Sequence, residues 1–237
     1  MPTTTSPTSP TIKQLLAELE SKGEEARRKH NAKNGAPKNQ FGVKHGDIRA
    51  IAKKIKAKPD EKHALALELW KTGNVDAQFL ACLLLNPKSL SASEVDTLTR
   101  ATTFAHVADW FNSYIVAQHA DKDALRKKWM KDKSPRNPWA ARAGWHFTAS
   151  AINKGTSEDD PEALLKRIDK ELAKAKPEIQ WTMNNTLAAI GIKHANLRKC
   201  AVAIGERVSL YKDWPVSKGC IIPYVPVWVD AMVKRKK

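Results

Sequence analysis

One segment, Ser134-Pro-Arg-Asn-Pro-Trp-Ala-Ala-Arg-Ala-Gly-Trp145, carries side chains able to grip a phosphate and pack on a sugar. Asn137 suits a helix cap and Pro138 the first helical position, where a missing N–H costs nothing. Trp139, Arg142 and Trp145 then fall at i, i+3 and i+6, on roughly one face of the first two turns. A guanidinium between two indoles suits a surface that holds phosphate and packs against a sugar or base. The competing reading is structural: the tryptophans are core, and Arg142 caps a helix or pairs with a carboxylate.

A second segment, Val107-Ala-Asp-Trp-Phe-Asn-Ser-Tyr114, carries a carboxylate beside an indole. Asp109 there can face a developing oxocarbenium ion, and a buried carboxylate is worth more in that role than one in water. The ordinary alternative pairs Asp109 with Lys122, Lys127 or Arg142. His106 lies one turn before Trp110 and either touches phosphate or simply packs. The remaining histidines, at positions 30, 45, 63, 119, 146 and 194, form no metal-ligand spacing with a cysteine or acid, so no metal is expected.

Lys122, Arg126, Lys127, Lys128, Lys131, Lys133 and Arg136 form the densest basic run. Such a run is usually a solvated helix face, but Trp129 and Trp139 are interleaved with it, which favours nucleic-acid contact. Near the C-terminus, Gly219 beside Lys218 lets the backbone approach a phosphate closely. Cys220 has no evident histidine partner and reads as structural rather than nucleophilic. With Cys82 and Cys200 the cysteine count is odd and unpaired in spacing, which argues against a disulfide framework or zinc and for a reducing, cytoplasmic setting.

The elements that must position these residues read as helices. The 237 residues are 42% hydrophobic and 28% charged, as in soluble globular proteins. No apolar run approaches the roughly 20 residues of a membrane helix. Residues 1–10 lack the apolar stretch of a secretory leader and read as a disordered tail. Residues 11–237 read as a single helical-repeat domain, loop-rich and basic-tailed over 212–237. Net charge is +16, with a sequence pI near 9.8, which favours a polyanionic partner, nucleic acid first and anionic membrane second.

The periodicity predicts helices over 11–34 with a break at Gly23, from Asp47 to about Lys56, and from Asp60, acting as cap, through Trp70. An almost wholly apolar helix follows over 77–85, then a short one opened by a Ser91/Glu94 capping box. Further helices are expected over 104–119, 122–131, 138–153, from Pro161, from Pro177 to near Gly191, over 197–211 and over 227–233. Strand signals are nearly absent. Helix pairs recur every 30 to 45 residues or so, the spacing of HEAT-like α-solenoids, so the expected fold is an all-α solenoid with a concave basic face able to cradle a duplex.

Several segments together resemble the AlkD-like DNA glycosylases, HEAT-like proteins of DNA alkylation repair. They are Phe41-Gly-Val-Lys-His-Gly-Asp-Ile-Arg49, Leu69-Trp-Lys-Thr-Gly73 with Asp76 and Phe79-Leu-Ala81, Trp139-Ala-Ala-Arg-Ala143, and Ile179 through Asn185 to Gly191. The resemblance implies a protein that wraps duplex DNA and removes cationic N3- and N7-alkylated purines without a cofactor. In that scheme an aspartate stabilises the sugar cation and tryptophans pack on the deoxyribose.

The chain departs from the family pattern, which sets a tryptophan four residues before an aspartate. Position i+4 from Trp110 is Tyr114, and an alternative register places Asn112 there. Asp109 points about 100° away from Trp110 around the helix. The late helix has Asn185 where the family often carries tryptophan, with Trp181 one turn earlier as a geometric substitute.

The expected function is therefore a monomeric, cytoplasmic glycosylase with Asp109 and Trp110 as its centre. Its expected DNA contacts are Trp139, Arg142, Trp145, Asn112, Tyr114, Trp181, Asn185, Lys127, Lys131, Arg136 and Lys218. The alternatives are a non-catalytic relative that binds damaged or branched DNA, and a helical scaffold for a protein partner.

Overall fold

A computed structural model describes residues 10–134 and 136–235. The residues of the N-terminal tail before Pro10 and the last two residues of the basic C-terminus lie outside that range. The described residues are helical, and their one β feature is an isolated antiparallel bridge between Gly23 and Val43. The chain divides into two compact units, Met1–Lys122 and Asp123–Lys237.

The first unit contains α1 (Ile12–Ser21), α2 (Glu25–Lys33), α3 (His45–Lys54), α4 (Pro59–Lys71), α5 (Val75–Leu84), α6 (Ala92–Arg100) and α7 (Ala105–Tyr114). Its centre is α5, which packs against α3, α4 and α7. The sequence explains that position: nine of the ten α5 residues are buried. Asn74 caps the helix by accepting from the amides of Asp76 and Ala77. Ser91 and Glu94 make the expected capping box at the start of α6.

After α8 (Lys122–Met130), which starts at the boundary, the second unit contains α9 (Trp139–Lys154), α10 (Pro161–Glu171), α11 (Pro177–Lys193), α12 (Arg198–Val208) and α13 (Val225–Lys234). Here the central helix is α11, packed on α9, α12 and α13. Leu164, Leu165, Ile168 and Leu172, the stripe expected from Pro161 onward, are all buried. Gly144 is required by packing, because a Cβ there would lie 2.9 Å from the Met130 amide nitrogen.

Several helix ends differ from expectation. α3 starts at His45, two residues before Asp47, which sits in its first turn. α4 starts at Pro59, so Asp60 lies in the first turn, near the positive end of the helix, rather than capping it. The helix expected over 104–119 stops at Tyr114 and gives way to a 3-10 turn at Val116–Gln118. His119 holds that stop: its ring Nε2 donates to the Leu90 carbonyl at 2.8 Å, and Nδ1 accepts from the Asp121 amide at 3.1 Å. α12 ends at Val208 rather than 211, because Ser209 and Tyr211 take left-handed backbone conformations, with φ of 54° and 62°.

Candidate nucleic-acid interface

The first unit builds a site from three elements around Trp110. The loop before α3 is shaped by Asp76, which is fully buried in the first turn of α5. Its carboxylate accepts from the backbone amides of Phe41 (2.6 Å), Gly42 (3.0 Å) and Val43 (2.9 Å). Gly42 has φ +79°, and a Cβ there would lie 2.6 Å from the Glu24 carbonyl oxygen, so only glycine fits. This latch delivers His45 and Arg49 of α3 to α7.

Trp110 is half-buried among rings, with centroids 4.8 Å from His45, 4.9 Å from Phe79 and 5.4 Å from Tyr114. The Arg49 guanidinium lies 4.4 Å from the indole centroid. It also donates to the Tyr114 hydroxyl at 3.3 Å. A cation–π contact and a hydrogen bond thus hold one cation over the tryptophan.

His45 accepts at Nε2 from Arg27 at 3.4 Å. Burial, reinforced by the charges of Arg27, Arg49 and His106, pulls its pKa down to about 4. The ring is therefore neutral at pH 7, and the positive charge here belongs to the two arginines.

Around α7, Val107, Ala108, Phe111 and Asn112 face inward. Asn112 is only 2% exposed and its amide nitrogen has no partner, so the alternative register leads into the interior rather than to a surface. His106, Asp109, Trp110 and Ser113 occupy the opposite side, with Asp109 and Trp110 on its two flanks.

The second unit distributes the Trp139, Arg142 and Trp145 segment differently from the expected sandwich. The helix starts one residue later than expected, with Pro138 at its N-cap instead of the first helical position, and Asn137 Oδ1 accepts from the Trp139 amide at 3.1 Å. Trp139 is half-buried, whereas Trp145 is 1% exposed within the hydrophobic core. The cation over the Trp145 ring is Arg167, at 4.9 Å, and not Arg142. Arg142 is itself buried and donates to the Glu178 carbonyl at 2.9 Å. Its charge acts on Tyr211, whose hydroxyl pKa burial raises and Arg142 partly lowers again.

Trp181, on α11, forms a ring cluster with Tyr211 (5.2 Å) and Trp214 (5.8 Å). Asn185 is half-buried on the same helix and lines a surface pocket of about 510 Å³ with His146, Asn153 and Trp228.

The basic run divides by burial. Arg126 is structural: it is buried and donates to Asp159 and Thr148. Lys127, Lys131, Arg136 and Lys218 are exposed, and Lys127 pairs with the exposed Glu158 at 3.1 Å. No group of three or more histidine, cysteine or acidic side chains able to hold a metal occurs among the described residues.

Sequence reasoning missed Arg49, Arg27, Tyr211 and Trp214 as site residues. Arg49 and Tyr114 are 65 positions apart, so no local pattern links them. Two left-handed non-glycine residues set the place of Tyr211, and hydrophobic periodicity carries no signal for them.

The helical units place the chain in the HEAT-like repeat class. It covers 96% of its length, and 95% of the other chain, against a solved structure described as "a new family of proteins related to the HEAT-like repeat DNA glycosylases with affinity for branched DNA structures", with a TM-score of 0.73 and 24% identity. The chain belongs to the DNA alkylation repair enzyme family, whose sequence profile matches residues 15–210. It is also similar to two uncharacterised Listeria proteins. Lin0241 of Listeria innocua is 25% identical over 170 residues, 71% of this chain and 72% of that one. Lmo0209 of Listeria monocytogenes is 22% identical over 199 residues, 83% and 85% of the two chains.

Proposed function

We propose that this protein binds DNA, favouring distorted or branched structures, and holds it without excising a base. The observation that carries this reading is the Arg49 guanidinium over Trp110, bonded to Tyr114. The family pattern asks for a carboxylate four residues after the tryptophan, to offset positive charge on a sugar. Here that position offers a phenol, and a fixed cation covers the indole. A cation opposes a developing oxocarbenium ion and attracts a phosphate. The net charge of +16 and the exposed Lys127, Lys131, Arg136 and Lys218 suit the same partner. The related structure described as having affinity for branched DNA supports the choice of DNA shape.

Two assays on purified protein test this. Binding to a four-way junction should exceed binding to a linear duplex of equal length. Alkylated duplex DNA should release no methylated base above the protein-free rate. Release of base would favour a second reading, in which Asp109, on the outward side of α7 with Trp110, stabilises the sugar cation. Activity would then be confined to cationic N3- or N7-alkyl purines, which leave readily, and Asp109→Asn would abolish it while DNA affinity stayed intact.

A further inference from the structure

We infer that Trp181, Tyr211 and Trp214 form a stacking platform for one unpaired nucleobase. The inference rests on the DNA-binding reading above and specifies which nucleotide would dock where. The three rings lie within 5.2 to 5.8 Å of one another, at interplanar angles of 72°, 50° and 88°. None is stacked flat on another; the contacts are tilted or edge-to-face. Trp214 is 43% exposed, one of the few large apolar side chains so presented among the described residues. A tryptophan held at the surface by two other rings is organised but uncovered, as a π-face awaiting a flat partner must be.

The backbone is shaped for this placement. Ser209 and Tyr211, both non-glycine, adopt φ of 54° and 62°. Left-handed conformations are unfavourable for such residues and concentrate at functional sites. These two turn the chain out of α12 so that Tyr211 meets Trp181. Residues 212–220 beyond them are exposed and include Lys212 and Lys218, cations of the kind that phosphates would meet.

The Arg142 charge reaches Tyr211, and Lys212 and Lys218 lie on the exposed segment that carries Trp214, a setting that suits a neutral base on an anionic backbone better than a cationic guest. Trp181 lies within the residues that the family profile matches, and Tyr211 and Trp214 lie just beyond them.

The test compares two duplexes, one fully paired and one with a single extrahelical 2-aminopurine, whose fluorescence falls when it stacks. The full-length protein should bind the bulged duplex roughly tenfold tighter than the paired one and quench the probe. Trp214→Ala should lose both the preference and the quench, with its melting temperature unchanged. Trp214→Phe should restore part of each. Equal binding of the two duplexes by wild type, or a preference that survives Trp214→Ala, overturns the platform and leaves the DNA reading standing. Failure to bind either duplex overturns both.

Discussion

Arg49 decides what the Trp110 site can accept, and its geometry makes a direct prediction. Tyr114→Asp restores the family's carboxylate spacing, but it also removes the hydroxyl that holds Arg49 and leaves that cation nearby to turn toward the new carboxylate. An ion pair there cancels the charge a sugar cation would use. Tyr114→Asp alone should therefore leave base release from alkylated duplex at background. The Arg49→Ala, Tyr114→Asp double variant is the form expected to gain any, read as free methylated purine by chromatography.

His45, in the same cluster, gives a pH prediction. Its folded pKa of about 4 lies below the ordinary histidine value of 6.5. The unfolded chain therefore binds the extra proton between those values, and stability falls as pH drops from 6.5 toward 4. Melting temperature should decline across that window, and His45→Phe should reduce the decline. Arg142 belongs to a different class from the surface cations. It is buried with a bond to the Glu178 carbonyl, so Arg142→Ala should cost about 1.5 to 3 kcal/mol of stability, measured by denaturant melts.

At the scale of elements, α5 and its loop form the joint on which the first site depends. Asp76→Asn replaces one acceptor oxygen by an NH2 group facing backbone donors, inside the core. The loss should be about 2 to 4 kcal/mol, combining a broken charge-assisted network with an unpaired buried donor. A variant melting within a degree of wild type would show that the loop holds itself.

These elements also show what the sequence made legible. Helix identity followed from apolar spacing in nearly every case, and the Ser91 cap was readable because capping chemistry is local. The early end of α7 was not readable. It depends on His119 reaching Leu90, 29 positions away. Trp139, Arg142 and Trp145 share helical spacing, but spacing fixes a face and not what covers it. α11 and the core cover Arg142 and Trp145. Arg49 falls on the helix expected from Asp47, but its partners lie on α7, beyond the reach of any local spacing.

At the scale of the whole molecule, the charge of +16 sets the salt response. If six or more phosphates are neutralised, duplex affinity should fall about a thousandfold between 50 and 200 mM salt. A flat response would remove DNA as the partner.

The Asp76 latch has a consequence for motion. The amide hydrogens of Phe41, Gly42 and Val43 are held by a fully buried carboxylate 33 to 35 positions away. Local fraying of the loop cannot release them, because their acceptor sits in the first turn of the most buried helix of the unit. They should exchange with deuterium only when α5 itself opens, at rates matching the slowest amides of that helix. A loop between helices would thus display the protection of a core, and its exchange would time the opening of the unit that carries Trp110.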